Sequence, residues 1–404
     1  MILRNRALRA LLAAEVVSSI GSRMTALALP WFVLVTTGSP TQMGIVLAAE
    51  LLPVGLLGVP SGSVVSRLGA RRTMLISDAV RVPLMASIPV LHAAGALSFP
   101  LLLVLVSTFG VFWAPYFAAQ RVILPELLGD DEPTIAQANS VIEGATSASG
   151  LLGPPIAGAL IPLIGTSNVL YLDAATFAFA ALTVLAFVPA RARTVQEERG
   201  GVLAGLLFFL RDPLLGPLAS VTVTYNAFGQ MLFAALPVLA YERFHSAHDA
   251  GWLIAAYGAG SLAGTIAAFH LVTRVEPLKL ASVAVLGIAL PIWLLAMRPE
   301  LPLAIAALAI SGFCNPLTNA PFFGILTMRT PEALRAKVIS AVLTFATIAG
   351  PIGLLVAGPL IEHAGLSWTF AVVAAGETAA SLLFIALIAR YRRLSARAPA
   401  IVAH

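Results

Sequence analysis

Residues 150–165 read GLLGPPIAGALIPLIG, and residues 350–365 read GPIGLLVAGPLIEHAG. Both stretches are apolar and rich in small residues, which is typical of membrane helices whose backbones approach a neighbouring helix closely. A second, similar shift brings Phe112 and Pro115 onto Phe313 and Pro316. The sequence therefore predicts an internal repeat. The first two stretches agree, 200 residues apart, at Gly150, Gly153, Ala157, Gly158, Leu160, Ile161 and Gly165.

The composition places this repeat in a membrane protein. Of the 404 residues, 59% are apolar and only 11% are charged, which excludes a water-soluble protein. A spanning helix needs about 20 apolar residues, and twelve such stretches lie between residues 10 and 389. We predict an all-α integral membrane protein with twelve transmembrane helices in two six-helix bundles. Because an even number of spans returns the chain to its starting side, a pseudo-two-fold axis along the membrane normal is expected to relate the bundles.

A polar break in the middle of the chain predicts the domain boundaries. We expect an N-terminal bundle at 1–190, a cytoplasmic linker with a surface helix at 191–212, a C-terminal bundle at 213–390 and a cytoplasmic tail at 391–404. Nearly all loop arginines and lysines fall on one side of this topology, which places both termini in the cytoplasm and the protein in the plasma membrane. The net charge of +5 then reflects topology, and no nucleic-acid partner is expected.

One loop carries a recognisable pattern. The stretch Gly62-Ser-Val-Val-Ser-Arg67-Leu-Gly69-Ala-Arg71-Arg72 resembles the loop signature of the major facilitator superfamily, with Ser66 where that family has aspartate. The resemblance implies that Gly62, Arg67, Gly69, Arg71 and Arg72 support an inner gate, together with Asp78 and Arg81. Alternatively, the loop arginines only set the topology.

Further stretches narrow the resemblance. Ala28-Leu-Pro30-Trp31, Leu124-Pro125-Glu126-Leu127 and Asp173-Ala-Ala-Thr-Phe177 resemble the drug-efflux branch that includes macrolide, tetracycline-type and siderophore exporters. This implies export of amphiphilic drugs or metabolites by proton antiport with alternating access; a dedicated siderophore or secondary-metabolite exporter is the alternative. The antiporter signature is matched incompletely, and ordinary helix packing also explains its small residues. The matching residues are Gly150, Gly153, Pro154 and Gly158, with Gly350 and Pro351 in the second copy.

Ionisable residues within spans are costly and usually functional. Only Glu377 lies in the second half, so proton coupling is expected in the first half. Glu143, roughly two turns inside span 5, is the first candidate, followed by Glu50, Glu15, Arg23 and Asp173. Arg23 and Glu50 are predicted to pair across spans 1 and 2, either as a static or as a coupling pair. Asp78 and Arg81 are predicted to pair locally near the inner surface, and Asp173 to be a solvated cap near the outer end.

An aromatic helix face predicts the substrate cavity. Span 4 places Phe109, Phe112, Trp113 and Tyr116 at helical spacing. If this face lines an interface between the two halves, it suits the binding of bulky amphiphilic cations. Alternatively, the face contacts lipid or packs against another helix. Spans 7 and 10 add Tyr225, Asn226, Phe228, Asn315, Asn319, Phe322 and Phe323.

Other functional classes find little support. No Gly-x-x-x-x-Gly-Lys-Ser/Thr loop is present for ATP, and the six histidines are scattered, so no metal site is expected. A membrane enzyme or a channel is the different-class alternative. We expect no enzyme activity and no cofactor beyond a coupling proton. The expected partners are the lipid bilayer and a small amphiphilic substrate, and the expected state is a monomer.

Overall fold

The computed structural model describes residues 6–128, 132–190, 215–272, 274–330 and 335–397. Within them, twelve helical segments are long and apolar enough to cross a membrane, which confirms the predicted all-α fold class. The first six helices are α1 (Arg6–Thr37), α2 (Pro40–Leu68), α3 (Ala70–Ala93), α4 (Phe99–Leu128), α5 (Glu132–Ile164) and α6 (Thr166–Phe187). They are followed by α7 (Leu215–Leu239) with a π-helical turn (Ala240–Phe244), α8 (Ala247–Leu271), α9 (Pro277–Ala289), α10 (Ile292–Ala296), α11 (Leu301–Arg329), α12 (Arg335–Ala364) and α13 (Leu366–Arg397). Spans 1–8 are α1–α8, the ninth span is formed by α9 and α10 together, and the last three spans are α11–α13.

The chain divides into two compact units. Unit 1 comprises Met1–Arg199 and Leu236–Ala255, and unit 2 comprises Gly200–Ala235 and Ala256–His404. Leu236–Ala255 thus groups with the N-terminal helices. The predicted linker and its surface helix lie outside the described residues. The last helix continues to Arg397, past the bundle end predicted at residue 390.

Glycines at helix junctions show the repeat in the backbone. Gly165 joins α5 to α6 with φ +84°, and Gly365 joins α12 to α13 with φ +85°. Each donates its N–H to the carbonyl four residues earlier, at Ile161 and Ile361, over 2.9 Å. A positive φ is cheap only for glycine, so both copies use the same residue for the same turn.

The repeat also appears in packing. In unit 1 Gly153 of α5 lies against Arg23 of α1, and in unit 2 Gly353 of α12 lies against the carbonyl of Ala227 of α7. A side chain at either glycine would overlap those atoms. The small residues therefore do pack helices together, as the alternative interpretation of the antiporter-like pattern holds.

The helix contacts of unit 1 decide which side chains meet. There α1 packs on α5 and α6, α4 packs on α2 and α3, and α3 packs on α6. In unit 2, α9 packs on α11, and both α9 and α10 pack on α13. Of these helices, α1, α3 and α6 carry the buried charged residues of unit 1, and α4 packs on α3 beside them.

Candidate functional site

Arg81 of α3 is enclosed by aromatic rings inside unit 1. Its side chain is 1% exposed, and its guanidinium carbon lies 4.2 Å from the ring centroid of Tyr116 and 4.4 Å from that of Phe177. Arg81 forms an ion pair with Asp78, one turn earlier, which confirms the predicted local pair. The pair is fully buried within unit 1, and its predicted position near the inner surface stays a prediction. An aromatic enclosure favours a permanent cation there.

Glu15 of α1 joins this pair. Its two carboxylate oxygens accept hydrogen bonds from the Tyr116 hydroxyl at 2.8 Å and from the Gln120 side-chain amide at 2.6 Å. The charges of Asp78 and Arg81 also act on Glu15. We call these five residues the Arg81 cluster. Tyr116 therefore belongs to a buried polar cluster, and its prediction as a substrate-cavity residue is wrong because ring and hydroxyl are both engaged inside unit 1.

The Arg81 cluster leaves two polar atoms without a partner. Asp78 Oδ2 and Arg81 Nε are buried and make no hydrogen bond. A buried polar group without a partner costs about 1–3 kcal/mol. Buried polar groups of this kind are uncommon in folded proteins.

Asp173 of α6 is a second buried acid of unit 1. Its carboxylate accepts hydrogen bonds from Thr25 at 2.6 Å and from Thr176 at 3.2 Å. The residue is completely buried, so the predicted solvated cap is wrong. Gly21 on α1 leaves room for it, since a Cβ there would overlap Asp173 and Thr176. Arg81 acts electrostatically on Asp173 as well.

Glu50 of α2 completes the set of acids. The charge of Asp173 acts on it, and Gly110 of α4 lies against its backbone carbonyl. Its side chain borders a small cleft within unit 1 that is otherwise apolar. An ionised carboxylate is poorly solvated in such surroundings. The other lining residues are Leu29, Leu84, Met85, Ile88, Leu105, Val106 and Phe109.

Arg23 does not pair with Glu50, so that prediction is wrong. The acid that acts on Arg23 is Glu143 of α5. The Arg23 side chain follows α5 beside Gly150 and Gly153, where the missing side chains leave space for it. Both Arg23 and Glu143 are exposed on unit 1. Glu143 is thus set apart from the buried acids Glu15, Asp78 and Asp173 and from the half-buried Glu50.

The predicted aromatic face of α4 is divided by its packing. Phe109 is buried and packs on Phe177 with 5.7 Å between ring centroids. Phe112 is half-buried. Trp113 is also half-buried and stacks in parallel on the exposed Phe117 at 5.4 Å, and the guanidinium of Arg121 lies over that second ring. Of these residues, Trp113 and Phe117 present a continuous aromatic surface.

The cavity candidates of unit 2 are also divided. Asn319 donates to Asn315 at 2.9 Å on an exposed part of α11, and Asn226 donates to the Thr222 carbonyl of its own helix. Phe228 packs against Gly376. Phe322 is 8% exposed and lies in a hydrophobic core with Leu326 and Phe384, so its assignment to the cavity is wrong. The side chain of Phe323 lies outside the described residues.

Tyr225 and Glu377 form a buried group in unit 2. Tyr225 shares a short hydrogen bond with Ser381 and donates to the Glu377 carbonyl at 3.2 Å. Sequence reasoning named Tyr225 and Glu377 but missed Ser381, and it also missed Gln120 in unit 1. The available signal was helical spacing, since each lies four residues after a named residue, Glu377 and Tyr116.

The loop arginines have distinct surroundings. Arg71 donates to the carbonyls of Val188 at 2.6 Å and Leu185 at 2.9 Å, at the C-terminal end of α6. A cation there satisfies carbonyls that lack helical partners. Gly69 takes φ +83° at the α2–α3 junction, while Gly62, Arg67 and Arg72 are exposed. The inner-gate role of this loop stays a prediction. Within the described residues, no group of three His, Cys, Asp or Glu side chains is arranged to hold a metal.

Comparison with known proteins agrees with this architecture. A family model described as transmembrane secretion effector matches residues 2–400. The chain belongs to this family. The multidrug efflux pump Tap of Mycolicibacterium fortuitum is 31% identical over 375 residues, covering 89% of this chain and 90% of that protein. The enterobactin exporter EntS of Escherichia coli is 27% identical over 237 residues, or 56% of this chain and 55% of that protein.

Solved structures share the fold at low sequence identity. The nucleoside transporter NupG superposes with a TM-score of 0.78 at 14% identity, covering 94% of this chain and 98% of that chain. A bacterial homologue of the lysosomal transporter Spinster superposes with a TM-score of 0.73 at 14% identity, covering 96% and 97%. The resemblance to the major facilitator superfamily is confirmed, and this family member is a multi-pass membrane transporter.

Proposed function

We propose that this transporter exports amphiphilic drugs or metabolites in exchange for protons, by alternating access. Multidrug efflux by Tap, its relative over most of the chain, supports the substrate class. We further propose that it acts as a monomer in the plasma membrane. Both termini are placed in the cytoplasm, because this orientation puts nearly all basic loop residues on the cytoplasmic side.

The charge balance inside unit 1 carries the proposal. In the described part of unit 1, one buried guanidinium, that of Arg81, accompanies the buried acids Glu15, Asp78 and Asp173 and the half-buried Glu50. Arginine stays charged and can neutralise one carboxylate. Each further bare carboxylate would cost several kcal/mol in this interior. The remaining acids are therefore held neutral by bound protons, and these protons are what an antiporter exchanges.

These acids form a connected series. Electrostatic interactions link Glu50 to Asp173, Asp173 to Arg81, and Arg81 to Asp78 and Glu15. A change of protonation at one end alters the favoured charge state of the next group. Binding of a proton at one acid can thus change the electrostatic interactions among α1, α2, α3 and α6, the helices that carry these residues.

Glu143 now ranks below this series as a proton site. It faces one cation, Arg23, and both side chains are exposed. Glu15 becomes the first candidate because it is buried and lies within the electrostatic reach of both Asp78 and Arg81.

The test is transport by the purified full-length protein in liposomes, with pH and voltage gradients imposed separately. For each coupled proton, a gradient of 1.5 pH units supplies about 2 kcal/mol, or about 30-fold in accumulation. We expect Glu15→Gln to lose this pH-driven accumulation and Glu143→Gln to keep it. The opposite pattern would return Glu143 to first place, and a parent protein that ignores the pH gradient for every compound would refute proton antiport.

A siderophore exporter is the second candidate, favoured by the match to EntS over about half of each chain. The same liposomes distinguish the two functions. The compounds compared are ethidium, a tetracycline, a macrolide and a catecholate siderophore. Transport of the siderophore alone would select the second candidate.

A further inference from the structure

Glu377 of α13 is a buried acid in unit 2. Its side chain is 2% exposed, and its Oε2 has no hydrogen-bond partner. The helix continues past it for several turns, so the carboxyl is far from either helix end. An ionised carboxylate in such a place is costly unless something compensates its charge.

The groups around Glu377 offer no compensating cation. The negative charge of Glu377 acts electrostatically on the side chains of Tyr225 of α7 and Tyr257 of α8. The Tyr225 hydroxyl bonds to Ser381 and to the Glu377 backbone carbonyl, not to the carboxyl group. Ser381 in turn donates to the Val285 carbonyl of α9 at 3.0 Å.

Basic residues on the neighbouring elements are engaged elsewhere. Lys279 at the start of α9 pairs with Glu276 at 3.1 Å and is largely exposed. Arg298, which follows α10, donates to Ser367 at the start of α13. Arg390 is exposed and lies about 20 Å further along α13. Among the side chains that the structure describes in unit 2, none of these cations therefore offsets the negative charge of Glu377.

We propose that Glu377 binds a proton during transport, as a second coupling site housed in unit 2. The inference rests on the proposed proton antiport and adds to it a coupling ratio. One proton carried by the acid series of unit 1 and one carried by Glu377 enter for each substrate molecule that leaves. For a monovalent cationic substrate, each cycle then moves one net positive charge inward.

The response of export to the membrane potential distinguishes exchange for two protons from exchange for one proton. Ethidium is a permanent monovalent cation, so its exchange for one proton is electroneutral, and its exchange for two protons is driven by an inside-negative potential. A potential of 100 mV is worth about 2.3 kcal/mol per charge, or about 50-fold in the limiting gradient. In liposomes with the potential set by potassium and valinomycin, we expect ethidium export by the parent protein to respond to voltage and to pH.

Glu377→Gln keeps the size of the side chain and removes the exchangeable proton. We expect it to lose the voltage response while pH-driven export continues. Glu276→Gln is the matched control, because it removes an exposed carboxyl of unit 2 that pairs with Lys279, and its voltage response should remain.

A Glu377→Gln variant with the voltage response of the parent would overturn the proposal, as would a parent protein whose pH-driven ethidium export ignores voltage. If the Gln variant does not fold, the voltage that balances a known pH gradient in the parent gives the coupling ratio. A ratio of two supports the proposal and a ratio of one overturns it. Failure of the pH response in the parent would instead refute proton antiport itself.

Discussion

Replacing Arg81 by glutamine tests the buried charge cluster directly. Glutamine retains polarity and approximate length but removes the cation that pairs with Asp78 and lies over Tyr116 and Phe177. Removing one partner of a buried ion pair costs about 3–5 kcal/mol, because the other charge is left without compensation. For a unit of about 200 residues, 1 kcal/mol corresponds to roughly 2–4 °C in the unfolding midpoint. We therefore expect Arg81→Gln to unfold about 6–20 °C below the parent.

Arg121→Gln is the matched control in the same unit. Arg121 also lies over an aromatic ring, that of Phe117 at 4.8 Å, but it is exposed. An exposed cation–π contact is worth about 0.5–1 kcal/mol, so its loss should lower the unfolding midpoint by only about 1–4 °C. Unfolding is followed by differential scanning fluorimetry of the detergent-solubilised protein.

The dependence of this loss on pH identifies its cause. In Arg81→Gln the destabilising species is ionised Asp78, and protonation of that carboxyl removes the unpaired charge. The midpoint difference between variant and parent should therefore narrow between pH 8 and pH 5. Equal losses in the two variants, or an Arg81→Gln deficit that is the same at both pH values, would refute a buried ion pair at this position.

Three further predictions concern packing, substrate contact and topology. Gly153→Ala and Gly353→Ala should each cost about 1–3 kcal/mol of stability by overpacking, measured by the unfolding midpoint. Gly144→Ala, whose new Cβ meets no atom within 4 Å, should be neutral or stabilising, and equal effects in all three variants would contradict the close helix contacts. Trp113→Ala should change the relative transport rates of the compounds at normal protein yield, while Phe109→Ala should cost about 3–5 kcal/mol of stability. Unchanged transport of every compound by Trp113→Ala would place Trp113 on a packing or lipid face. In a Cys314→Ser background, single cysteines that replace Ser39, His248 or Arg298 should react with an impermeant maleimide added outside. Cysteines that replace Arg72, Gln196 or Arg335 should not react, and reversed labelling would invert the topology.

The sequence predicts the fold well because the bilayer imposes it. Segment length and hydropathy fix the number of spans, and the shared Gly165 and Gly365 identify a turn that only glycine adopts cheaply. Position along a helix also gives depth, at about 1.5 Å per residue. Helical spacing correctly led to Asp78 and Arg81 as a pair, since both lie one turn apart on one helix.

Partners between helices are much harder to predict. In a bilayer an apolar stripe carries no label for the side that faces lipid, protein or a cavity. Trp113 and Phe109 therefore look equivalent in sequence, although only Trp113 is partly open. Arg23 and Glu50 share a similar depth, but the absence of a side chain at Gly153 directs Arg23 towards α5. That choice depends on helix rotation, which periodicity leaves undetermined.

The two units hold their buried charge in different ways, and this difference has an energetic consequence. In unit 1 the fixed charge of Arg81 stabilises one carboxylate at all times, so protons can be redistributed among Glu15, Asp78 and Asp173 without creating a bare anion. Glu377 has no such cation, and release of its proton in the buried arrangement leaves an anion that costs several kcal/mol. Release therefore requires that helix movement first admits water or a donor to the carboxyl. In the proposed antiport, coupling at Glu377 is therefore expected to be tighter than in unit 1, because deprotonation there cannot precede the conformational change.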